Sequence, residues 1–196
     1  LVLDGGDQFQ GTLLSNYSEG ALMFSLLGEV GYDAVVPGNH DYDFGPEGWL
    51  VDQVTPDSKD QDPRGVMKRL AASASFPMLS SNAYLKSSLK TLDGKSAKVE
   101  SLGCGSTEPL DWSGAERPEL LKQYIIKEVS GVRVAIIGLD NLITPTTTTA
   151  ANVSDLCFRS PADEYKSVRA SLDGKADLFV LVIHDGDING DTNLTK

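Results

Sequence analysis

Short apolar runs alternate along this chain with stretches of helical spacing, and that alternation limits its fold more than any other feature. Leu1 to Leu3, Asp33 to Val36, Phe76 to Leu79 and Leu178 to Ile183 have the length and composition of buried strands. Between the first two, Gly20 to Val30 carries Leu22, Met23, Leu26, Leu27 and Val30 at helical spacing, and Gly31 closes it. Helices are also expected after Pro46, over about 63 to 73, and from Ser160-Pro161 to about Leu172. Ser160 and Asp163 form a capping-box-like pair at the last of these. Tyr124 to Val129 and Val132 to Leu139 flank Ser130-Gly131 as the arms of a hairpin. Residues 86 to 117 are polar and rich in Gly and Ser, and read as a long loop with short strands. Residues 143 to 152, with the threonine run Thr146 to Thr149, read as a loop over the sheet. Strands alternating with helices predict an α/β fold, and the hairpin makes its sheet mixed.

A length of 196 residues suits one domain, and a hydrophobic content of 40% is enough for a core. No apolar run is long enough to span a membrane. The formal net charge of −11 argues against a nucleic-acid polymer as partner, because an acidic surface repels a phosphate backbone. It leaves room for a small phosphate ester, since bound divalent cations invert the local potential of a carboxylate-lined cleft. Cys104 and Cys157 are read either as two unrelated small residues or as one disulfide. The Asn-x-Ser/Thr triplets at Asn16, Asn152 and Asn193 arise often by chance. The chain opens inside an apolar run and stops soon after another, so flanking elements are expected beyond both ends.

Three polar clusters follow directly on three of the expected strands. They are Gly5-Gly6-Asp7-Gln8-Phe9-Gln10-Gly11-Thr12, Pro37-Gly38-Asn39-His40-Asp41-Tyr42-Asp43-Phe44-Gly45, and His184-Asp185-Gly186-Asp187 after Val182-Ile183. Ligands of open α/β sheets bind at the carboxyl ends of strands, so the clusters are expected to converge on one crevice. Asp7 offers a carboxylate, Asn39 an amide oxygen and His184 an imidazole, a set suited to hard or borderline divalent metals. Taken singly, each is better read as structural: Asp7 as a turn cap, Asn39 as a turn residue, His40 as a buried histidine and His184 as a strand-end histidine. Together they favour a site.

Gly5-Gly6-Asp7 and Gly38-Asn39-His40-Asp41-Tyr42-Asp43 resemble the signature blocks of the calcineurin-like metallophosphoesterases. Gln8 to Thr12, Asp43-Phe44-Gly45, Pro77 to Asn82 and Ile136 to Leu139 are similar to the 5′-nucleotidase branch of that superfamily. The resemblance implies a mixed-sheet α/β sandwich, of which residues 1 to 196 are part of the catalytic domain. It implies that Asp7 bridges two divalent ions (Mn, Zn, Mg and Ca are not distinguished) and that Asn39 and His184 each bind one of them. His40 would sit over the phosphate, oriented by Asp43. The two ions would activate a water for in-line attack on a 5′-nucleotide or related small phosphate ester. Family members are commonly exported or surface-bound. The family's early Asp-x-His block, its later Gly-His-x-His or Gly-His-x-Gln block and its C-terminal substrate domain have no counterpart here, so this length alone is expected to lack activity. Oligomeric state is left open.

Other readings compete. Cyclic phosphodiesterases, nucleotide-sugar hydrolases and thiosulfohydrolases share the same superfamily chemistry, and a non-catalytic binding relative would keep the fold. Asp185 to Gly190 fits the first half of a calcium loop, but its twelfth position is Lys196 rather than Glu, and a strand precedes it where a helix belongs. A serine-hydrolase elbow and a full Gly-x-x-x-x-Gly-Lys-Ser/Thr phosphate loop are both absent from the sequence (Gly94-Lys95-Ser96 has Leu89 where the loop's first glycine belongs), and Gly103-Cys104-Gly105 is too short for a dinucleotide fingerprint.

Overall fold

The computed structural model describes residues 1–47, 62–100 and 102–185. In chain order its first half contains β1 (Leu3–Asp4), α1 (Leu13–Tyr17), α2 (Ala21–Val30), β2 (Ala34–Val35), α3 (Gly65–Ser73), β3 (Met78–Leu79), β4 (Ala83–Leu85) and β5 (Lys90–Thr91). There follow β6 (Leu110–Asp111), β7 (Leu121–Lys122), β8 (Tyr124–Val129), β9 (Val132–Leu139), α4 (Thr144–Thr147), β10 (Leu156–Phe158), α5 (Pro161–Ser171) and β11 (Leu178–Ile183). The helix expected after Pro46 and most of the calcium-loop-like segment lie outside the described residues.

Two sheets carry the architecture. One runs β1-β2-β3-β7 with every pairing parallel, and the other runs β11-β9-β8 with β11 parallel and β8 antiparallel to β9. Their central strands, β2, β3 and the second half of β9, are apolar on both faces and have something to bury on each. Ala34 and Val36 from the first sheet meet Val134 and Ile136 from the second, with Leu79, Leu3, Val180 and Val182 between them. The alternate residues point outward. Val35 and Met78 pack under α2 and α3 with Phe24, Leu27, Met67 and Leu70. Ala135 and Ile137 pack under α5 with Val168 and Leu172. The period-2 alternation of strands thus yields a helix–sheet–sheet–helix sandwich.

Local signals explain most boundaries. Gly31 ends α2 in the left-handed conformation that glycine adopts without strain. Ser130 and Gly131, both at positive φ, make the two-residue turn of the β8–β9 hairpin. The Ser160 hydroxyl accepts from the Asp163 N–H at the start of α5.

One part of the sequence reading is corrected, and another, the long loop with short strands at 86–117, gains detail. Residues 143–152 contain α4 and a further helical turn at Ala150–Val153 rather than a plain loop. Residues 86–117 are tied down by a small core of their own, in which Tyr84, Leu89 and Cys157 meet Val99, Leu110 and Trp112, and by a disulfide between Cys104 and Cys157. β10 pairs antiparallel with β4 to carry one end of that bridge.

Candidate active site

The loop after β1 turns sharply. The Asp4 carboxylate accepts N–H bonds from Gly6 and from the Gln8 amide, at 2.9 and 3.0 Å. Gly6 lies at φ 106°, and Asp7, which has a side chain, lies at φ 60°. A non-glycine residue held there stores local strain, a common feature of functional loops.

Asp41 holds that loop against its neighbour. It is buried, and its two oxygens accept the backbone N–H groups of Gly38 at 2.7 Å, Asp7 at 2.9 Å and Gln8 at 3.0 Å. Burial pushes its carboxyl up to about 7, against the pull of those three bonds. The sequence reading gave Asp41 no role of its own. Its place inside the second polar cluster was the available signal, but the partners 33 and 34 residues away could not be read from spacing.

The clamp sets Asp7 in place. Its Oδ1 accepts from the His40 backbone N–H at 3.0 Å, and its Oδ2 lies 3.2 Å from His184 Nε2. Glycines make room for both side chains. A Cβ on Gly38 would overlap the Asp7 carboxylate, and one on Gly6 would come within 2.7 Å of His184 Nδ1. His184 Nδ1 lies 2.8 Å from the Gly5 carbonyl oxygen, which can only accept, so Nδ1 carries a proton. The lone pair of a neutral His184 is then on Nε2 and faces Asp7 Oδ2. Two such atoms at 3.2 Å require a proton or a cation between them. Neighbouring ligands on an ion with bonds of about 2.0–2.2 Å stand roughly 3 Å apart, so the pair fits a divalent metal.

Asn39 reaches the same edge of the fold by another route. Its Nδ2 donates to the Thr147 carbonyl at 2.8 Å, leaving its amide oxygen as the atom suited to a cation. Among the described residues no three His, Cys, Asp or Glu side chains are grouped to hold an ion. The metal-type donors that face each other here are Asp7 and His184.

His40 stands beside them with its ring partly exposed. Its Nδ1 lies 2.5 Å from Asp43 Oδ2, and that bond holds the imidazole above its ordinary pKa, with Asp7 and Asp41 adding to the effect while partial burial opposes it. The structure brings Asp7 to His184 and His40 to Asp43. It also supplies contacts that the sequence reading missed, from Thr148 and Thr149 to Asp43.

No family profile matches the chain. Individual relatives do. A 5′-nucleotidase of Vibrio cholerae is 27% identical over 188 residues, covering 95% of this chain and 26% of the relative. A 5′-nucleotidase of Diplobatis ommata is 30% identical over 176 residues, covering 88% of this chain and 22% of the relative. The crystal structure of the calcineurin-like phosphoesterase YfkN from Bacillus subtilis superposes with a TM-score of 0.62 at 17% identity, covering 98% of this chain and 50% of that one. Over most of its length the chain is similar to proteins named 5′-nucleotidase, and it shares the fold of the YfkN phosphoesterase. It has the metallophosphoesterase sandwich and spans about a quarter of the length of the curated nucleotidases it matches. Among the described residues, no helix is long and apolar enough to cross a membrane.

Proposed function

We propose that this chain is part of the catalytic domain of a metal-dependent phosphoesterase that hydrolyses nucleoside 5′-monophosphates to nucleoside and phosphate. The observation that carries the reading is the facing pair of Asp7 Oδ2 and His184 Nε2 beside the His40–Asp43 dyad, at one edge of the sandwich. Asp7, Asn39 and His184 would hold divalent ions, two in the whole protein. When bound, such ions would activate the attacking water and neutralise the phosphate's charge.

The chain's own residues do the rest. Asp43 engages Nδ1 of His40, which leaves Nε2 as the ring atom available to the substrate. A protonated Nε2 donates to a phosphate oxygen, or hands its proton to the ester oxygen as the bond from phosphorus to that oxygen breaks. The water oxygen forms the new bond to phosphorus, so the products are an alcohol and inorganic phosphate. Asp41 keeps the two loops in register, and Gly6 and Gly38 let the donors approach closely. The disulfide supports an exported or surface-bound protein, since such bridges persist in oxidising compartments.

The test is a substrate panel with the full-length protein and manganese or zinc. It compares AMP, a 2′,3′-cyclic nucleotide and bis(p-nitrophenyl) phosphate. Turnover of AMP well above the two diesters supports the nucleotidase reading. Preference for a diester would move the protein to another branch of the same chemistry, and no turnover of any of them would leave a binding relative.

A further inference from the structure

The threonine run reaches across the fold to both halves of the site. Thr148 Oγ1 donates to Asp43 Oδ1 at 2.8 Å, and the Thr149 backbone N–H donates to the same oxygen at 3.1 Å. One residue earlier, the Thr147 carbonyl accepts from the Asn39 amide. Asp43 therefore has both oxygens occupied, Oδ2 by the His40 ring and Oδ1 by this segment. A carboxylate fixed at one oxygen by two donors cannot swing without losing them, so the imidazole on its other oxygen inherits that orientation.

The segment itself is well anchored. Thr144 and Pro145 are buried at the start of α4. On the far side, the Asn152 amide donates to the carbonyls of Tyr42 and Asp43 at 2.8 and 3.1 Å. The Asn152 carbonyl accepts from buried Arg64, which also forms a two-pronged pair with Asp155 at 2.7 Å on each side. Gly45, at positive φ, lies so close to Asn152 that a Cβ there would come within 2.5 Å of its amide. The threonines thus project from a strap held at both ends.

We propose that Thr148 is a positioning residue, whose hydroxyl holds Asp43 and thereby aims the His40 ring. This rests on the reading that His40 acts on the substrate phosphate. Thr149 works chiefly through its backbone N–H at 3.1 Å; its hydroxyl reaches the same Asp43 oxygen at 3.4 Å, so its side chain matters less.

The experiment measures kcat and KM for AMP with manganese in the full-length protein. The variants are Thr148→Val, Thr148→Ala, Thr148→Ser, Asp43→Asn, His40→Ala and the double variant Thr148→Val/Asp43→Asn, each with its melting temperature. We expect Thr148→Val and Thr148→Ala to lower kcat by about tenfold, the scale of losing a supporting hydrogen bond. KM should stay within about twofold of wild type, and Thr148→Ser should restore kcat. In the Asp43→Asn background, Thr148→Val should cause no further loss, because the two residues act in series. An equal loss in both backgrounds means a merely structural role and overturns the proposal. Unchanged kcat in both Thr148 deletions, with His40→Ala inactive, also overturns it and leaves the phosphoesterase reading standing. Full activity in His40→Ala overturns the reading and the proposal together.

Discussion

Removing the Cys104–Cys157 bridge should lower the melting temperature substantially, and the structure sets the size of the effect. The two residues are 53 apart in sequence. In the chain-entropy picture, closing a loop of that length takes about 14 cal/mol/K from the unfolded chain, which is about 4 kcal/mol at 25 °C. For a chain of this size each kcal/mol shifts the melting temperature by roughly 2–4 °C, so the loss should be about 8–16 °C. The bridge joins residues 86–117 to β10, and the segment is otherwise held by the small core around Tyr84 and Leu89 and by main-chain bonds such as Leu85 N–H to the Glu116 carbonyl and Lys86 N–H to the Asp155 carbonyl. Calorimetry should compare the wild type, the wild type with reductant, and Cys104→Ser/Cys157→Ala. The chain has no other cysteine, so reductant should lower the wild type and leave the double variant unmoved. A shift under about 3 °C in both would refute the reasoning and mean that the packed core alone holds the segment.

Three further outcomes follow from the same contacts. Buried Glu164 accepts from Arg117, Arg159 and the Tyr84 hydroxyl, so Glu164→Gln leaves two partly exposed guanidiniums poorly matched and should cost about 2–4 kcal/mol in urea unfolding. Buried Asp140, bonded by Ser80 and Tyr42, has its carboxyl pushed by burial from 3.8 up to about 7. Its protonated form therefore contributes stability that is complete below the unfolded value of 3.8 and lost as pH rises through about 7; a pH series of melts should show that decline, and Asp140→Asn should flatten it. Gly38→Ala places a Cβ on the Asp7 carboxylate, so calorimetric titration of the full-length protein should show weaker manganese binding, by tenfold or more on the scale of a displaced ligand.

Much of this was legible in the sequence because the signals were local. The apolar strands, the helix closed by Gly31 and the Ser130-Gly131 turn each report a short-range preference, and the polar clusters lie directly after strands. Asp7, Asn39 and His184 were reachable as candidate donors on that basis, while the pairing of His40 with Asp43 came from the family resemblance. Asp41 as a clamp was not, since its meaning comes from backbone groups in another loop. Thr148 was hidden for the same reason, with its partner 105 residues away. The short β10 has no periodicity to read, and its pairing with β4 across about seventy residues is a tertiary fact. The helical turns at α4 and Ala150–Val153 contain threonines and small residues of modest helix preference, so packing over the site decides them.

The most direct test of the central account titrates manganese into metal-stripped full-length protein and follows AMP hydrolysis. The account predicts that His184→Ala raises the manganese concentration for half-activation by tenfold or more, while His40→Ala lowers kcat and leaves that concentration unchanged. Full activity without any divalent ion, or a His184→Ala protein activated at the wild-type concentration, would contradict it.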